Sequence, residues 1–201
     1  MIAPRTLLTA LLAPAFGVAL GAQVAVQLRG ELTDGSASGC YYCPGFAHVI
    51  KVSGVPLQSS TLNLAAFMDQ QVYVQGTWDG SRVTVSSISL TPESFSVSGN
   101  GSIGNRFRLI SHGQPGELAL NVVALGASFS VPYLDLGFQL DPLTSVVQGM
   151  GPLNGAGEFK TDLDIPNDPG FVGLRVFGQG VILDAGGNLL TTNPDAKQIT
   201  P

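Results

Sequence analysis

From residue 24 onward, apolar and polar residues alternate in short runs broken by Gly, Asn, Asp and Pro. A period of two places successive side chains on opposite faces of a strand, so the pattern predicts an all-β chain. The first run carries Val24, Val26 and Leu28 on one face. Further strands are predicted over 46–52, 61–64, 71–78 and 82–90, with a helical turn over 65–69. Asp79-Gly80, between the last two runs, is a hairpin turn sequence. Past Thr91-Pro92-Glu93-Ser94 the alternation resumes over 95–97, 105–111, 117–124, 127–131, 137–140, 157–165, 173–184 and 188–192. Gly113-Gln114-Pro115-Gly116 and Asp184-Ala185-Gly186-Gly187-Asn188 read as turns between these runs.

The first 22 residues follow another pattern. Arg5 precedes an uncharged, apolar stretch that ends in Ala19-Leu20-Gly21-Ala22. That is the plan of a secretory signal peptide, with cleavage after Gly21 or Ala22. The stretch falls short of the roughly 20 apolar residues that cross a bilayer, and no later segment reaches that length. A retained anchor helix is the alternative. The expectation is a chain secreted to the extracellular space or cell surface, or held in the periplasm, with no membrane span in the mature form.

Five strands within residues 24 to 91, with a helical turn between the third and fourth, match the plan of an OB-type barrel. Phe67, Val72, Val74 and Gly76, followed by Val83, Val85 and Ile88, resemble the ending of small exported OB-like domains. Half of a continuous sandwich is the competing architecture. Seven or so strands over residues 95 to 195 predict a β-sandwich. Phe107-Arg108-Leu109, Gly113, Pro115-Gly116, Phe138, Leu140, Ile165-Pro166-Asn167-Asp168-Pro169, Val172-Gly173-Leu174, Gln179 and Leu183-Asp184 are similar to a module recurrent at the C-termini of secreted bacterial proteins. No activity attaches to that module, so the resemblance bears on export and fold. The predicted organisation is a signal peptide (1–22), an OB-like barrel (24–91) and a sandwich (95–195).

Charge narrows the partners. Only 11% of residues are charged, against about a quarter in ordinary soluble domains, and the net charge is −5. The barrel segment holds just Arg29, Lys51 and Arg82 as cations, too few to neutralise a phosphate backbone, so nucleic acid is not an expected partner.

Cys40-Tyr41-Tyr42-Cys43 is the most chemical-looking motif. A four-residue turn brings its ends within about 7 Å, which suits a disulfide. A redox pair would need the first thiol at a helix N-terminus, and Pro44-Gly45 follows instead. Covalent haem attachment would need His at position 44, and a zinc site could recruit His48 and His112. Gly99-Asn100-Gly101-Ser102-Ile103-Gly104 spells the dinucleotide fingerprint, but a strand pattern follows where a helix is required, so it reads as a hairpin turn. Asn100-Gly101-Ser102 is also a glycosylation sequon, meaningful only in a host that uses it.

Asp162, Asp164, Asn167 and Asp168 gather oxygen ligands around a strand end, where calcium is the candidate cofactor and a solvated Asn-Asp-Pro turn the competing reading. No other cofactor is indicated. For hydrolysis there is neither a G-x-S-x-G elbow nor an H-E-x-x-H helix, and His48 and His112 are the only imidazoles. Glu31, Glu93, Glu117 and Glu158 could pair for glycoside chemistry, but their spacing selects no pair. Tyr41, Tyr42, Tyr73 and Trp78 keep a saccharide ligand open. The reading is a non-catalytic binding or structural protein with a protein or glycan partner; a secreted hydrolase or thiol-redox enzyme is the alternative.

Overall fold

The computed structural model describes residues 23–36, 45–127 and 137–201. The signal-peptide reading, the Cys40–Cys43 pair and all but the first residue of the strand predicted over 127–131 lie outside the described residues.

The chain is all-β, as the alternation requires. Its first sheet is a nearly closed five-stranded barrel made of β1 (Val24–Thr33), β2 (Val49–Ile50), β3 (Leu57–Gln58), β4 (Gln71–Trp78) and β5 (Val83–Leu90). Strand order is β2-β1-β4-β5-β3, with β3 parallel to β5 and the other pairs antiparallel. A bridge between Val49 and Pro56 brings β2 back to β3 and nearly closes the ring. This is OB-like connectivity, including a 3₁₀ turn (Leu64–Phe67) between the third and fourth strands. The third strand is Leu57–Gln58, however, and the predicted strand over 61–64 is a bend leading into that turn. The interior is filled by alternate residues: Val26, Leu28 and Leu32 of β1, Val72 and Val74 of β4, Val83 and Val85 of β5, with Trp78 at one end. The Asp79-Gly80 hairpin forms as expected, its Asp79 carboxylate accepting the N–H groups of Ser81 and Arg82.

Two further sheets face each other. One contains β6 (Phe95–Ser98), β7 (Arg106–His112) and β10 (Glu158–Asp164); the other contains β8 (Leu118–Ala124), β9 (Val146–Pro152), β11 (Arg175–Leu183), β12 (Leu189–Thr191) and β13 (Asp195–Gln198). Phe95, Val97, Phe107 and Leu109 of the smaller sheet meet Val123 and Val176 of the larger one in a common core. The dinucleotide-like glycines form the hairpin between β6 and β7, with Gly99, Gly101 and Gly104 all at positive φ. Both β9 and β13 lie in stretches where the sequence pattern predicted no strand. β9 is an edge strand whose core-facing positions include Gly149 and Gly151; the Thr161 and Phe159 side chains of β10 occupy the space a Cβ would need there.

Residues 137–140 do not make the predicted strand; they contribute a single bridge, Leu140 to Ala127. The reason is the fate of the Gln139 backbone, whose N–H donates to the Oε1 of Gln179 at 2.8 Å. Gln139 and Gln179 are both fully buried. The Gln179 amide donates to the carbonyls of Gly137 and Thr192, while the Gln139 amide donates to Arg29 O of the barrel at 2.8 Å and accepts from the Ser53 hydroxyl. Gly137, at φ +75°, allows this approach: a Cβ there would run into Gln27 O and Thr191 Oγ1. Two side-chain amides thus join the sandwich to the barrel, and Val52 of the barrel packs with Val122, Leu140 and Phe177 beside them.

Truncating this link strands buried polar groups. Removing one hydrogen-bond partner from a buried group costs about 1–3 kcal/mol. Gln139→Leu orphans Arg29 O and the Ser53 hydroxyl, so urea denaturation should show about 2–4 kcal/mol of lost stability. A loss below about 0.5 kcal/mol, the level of an ordinary surface substitution, would refute the role assigned to Gln139.

Candidate functional site

The structure gives the acidic cluster a concrete arrangement. Asp162 and Asp164 share one face of β10, as period two requires, and that face is opposed by arginines of β7. Arg106 Nη1 and Arg108 Nε each lie 3.0 Å from an Asp162 oxygen, and Arg106 Nε is 3.7 Å from Asp164. Asp168 turns elsewhere: its Oδ1 accepts the Gly170 N–H at 2.8 Å and caps a 3₁₀ turn (Pro169–Phe171). Asn167 lies against the Gly104 backbone. The four side chains therefore serve ion pairs, a cap and a turn contact, and among the described residues no three His, Cys, Asp or Glu side chains gather into a metal-binding group. The two histidines have different surroundings, His48 near Asp34 and His112 near Glu93 and Glu158.

The hydrogen bond from Arg108, followed by that from Arg106, holds the Asp162 carboxyl below the ordinary aspartate value. The contribution of these pairs is therefore present above the unfolded-state value and is lost as pH falls through the folded one. The groups are exposed, so the effect belongs to local order more than to global stability.

The neighbouring end of the sandwich is concave. Between the C-terminal end of β8 and that of β10 the sheets part around a cleft of about 290 Å³. Val123, Leu163, Ile165 and Val176 form its depth, and Phe171 and Leu174 close one side. Local sequence sets this shape. Pro166 ends β10, and Asp168 and Pro169 start the 3₁₀ turn that carries Phe171 to the cleft. A register shift between Asn121 and Val122 bulges β9 where Val146 and Gln148 reach the opposite wall. The rim is apolar as well: Leu125 is 62% exposed, Val146 56% and Leu174 44%, with Leu143 standing out beyond them at 93%. Of the polar groups there, Thr144 and Asp164 are engaged with Asp141 and Arg106 respectively, and Gln148 is the third.

Comparison with protein-family models and with curated proteins finds no match to this chain. The likeness of residues 107–184 to a recurrent secreted module therefore gains no support from a family model or a curated relative.

Sequence reasoning singled out Asp164 at the rim but missed the cleft. Its walls are ordinary strand-end hydrophobes, and one of them belongs to the unpredicted β9. For the Asp162 pairing, Arg108→Ala should move the Asp162 carboxyl upward toward the ordinary value of 3.8 in an NMR titration. An unmoved titration curve would show that Arg108 does not hold it.

Proposed function

We propose that this chain is an exported, non-catalytic binding protein of the cell surface or extracellular space, and that its partner is a protein seated on the apolar cleft. The observation that carries this reading is the continuity between the cleft and its exposed rim. Soluble monomers rarely present contiguous apolar patches of this kind, and those that do use them for partners or ligands. Binding energy at protein interfaces concentrates where an apolar or aromatic anchor fills a desolvated pocket surrounded by contacts that exclude water. The cleft offers the pocket, and Leu125, Val146 and Leu174 offer the surround. Few charges interrupt this surface, which lowers the cost of drying it.

Export rests on the N-terminal pattern, in which one cation, an apolar run and a small-residue end have the form of a secretory leader. In the oxidising compartments beyond the membrane, Cys40 and Cys43 would form a bridge that fixes the loop carrying them. The ends of that loop are already joined, Gly35 N–H donating to Phe46 O at 2.9 Å.

Photo-crosslinking in the producing cells tests the proposal. A crosslinking residue at position 174 should trap one discrete protein, and the same residue at exposed position 84, on the barrel, should not. Val146→Asp should reduce the trapped product by about tenfold or more, the effect of placing an unpaired charge in an interface core. Equal trapping from both positions, or none from 174, would refute the assignment.

A further inference from the structure

A second cavity, separate from the apolar cleft, lies where barrel and sandwich meet. It holds about 400 Å³, within the range of about 300–1,000 Å³ typical of small-molecule sites, and sites of this kind favour such junctions. Both units build it. Arg29 comes from β1, Glu93 from the segment joining β5 to β6, and His112, Gln114 and Glu117 from the end of β7 and the turn after it. Of the four glutamates that the sequence left unpaired, the fold brings Glu93 and Glu117 to one cavity.

These groups are held in place. Arg29 lies over the Tyr73 ring, 5.2 Å from its centre, and its carbonyl is bound by Gln139. Glu117 Oε2 accepts the Gln114 N–H at 2.9 Å, which leaves its other oxygen for a ligand. Burial pushes the Glu93 carboxyl above its ordinary value, the Asp195 charge adds to this, and His112 opposes it. Ile182 and Leu190 add an apolar wall.

The lining discriminates among ligand classes. Two carboxylates disfavour a phosphate or other anion, and the guanidinium disfavours a compact cation. Donors and acceptors set around an apolar wall suit a ligand with several hydroxyls and a C–H face, which is the chemistry of a sugar ring. We infer that this cavity between barrel and sandwich binds a short neutral saccharide, independently of any protein on the apolar cleft.

NMR titration of the full mature chain tests this with cellobiose, maltose and N,N′-diacetylchitobiose, each to about 20 mM, a ceiling suited to millimolar affinity. At least one probe should shift the amides of Glu93, His112, Gln114 and Thr192 in a saturable way. Glu117→Gln, which keeps an acceptor for the Gln114 N–H, should weaken that binding about tenfold, as loss of a charged acceptor does. Leu174→Asp, on the apolar cleft, should leave it unchanged. No shift with any of the three sugars, or unaltered affinity in Glu117→Gln, would overturn the inference.

Discussion

The buried amide pair of Gln139 and Gln179 is the constraint on which the rest of the molecule depends. A buried polar group is costly unless its hydrogen bonds are made, and here they can be made only if barrel and sandwich stand in one relative position. Gln179 fixes the segment that carries Gln139, and Gln139 then reaches the backbone of β1 and the Ser53 hydroxyl. Apolar packing around Val52 adds area but little direction; the amides supply the direction. That Arg29 lines one cavity with Glu93 and His112 follows from this arrangement.

Side-chain amides and carboxylates also finish what the strands leave open. Among the described residues no strand pairs with the outer side of β6, yet its groups are bonded. Asn193 Oδ1 accepts the N–H of Ser94 and of Phe95, its amide donates to Phe95 O, and Asp195 Oδ2 accepts the Val97 N–H at 2.7 Å. Asn193 lies in the break between β12 and β13, two strands that share one side of β11. The break frees the side chain to stitch the two sheets together, and it protects an edge that would otherwise invite pairing with another chain.

Much of the fold was legible in the sequence because alternation is a direct consequence of one buried face. β1 and β4 fall where the pattern placed them, the Asp79-Gly80 turn forms, and the glycine run before β7 is a hairpin. Legibility failed where a position broke the simple code. Gly149 and Gly151 face the core of β9 without side chains, so no alternation marks that strand. Gln139, Gln179 and Asn193 look like surface residues to a hydropathy pattern, although each is buried and decides how large pieces of the chain meet. Neither concave site was visible for a related reason. Each is assembled from strand ends and turns distant in sequence, whereas the acidic cluster that did stand out is occupied by Arg106 and Arg108.

The amide link should make barrel and sandwich one cooperative structure rather than two tethered ones. Trp78, the single tryptophan of the chain, is buried in the barrel, whereas Ile165 and Ile199 lie in the core of the sandwich. Urea unfolding of the mature protein, followed at once by Trp78 fluorescence and by the methyl NMR signals of the two isoleucines, reads both units in one experiment. Superimposable transitions with a common midpoint are the expected result. Separate midpoints, with one unit intact while the other is unfolded, would contradict the account.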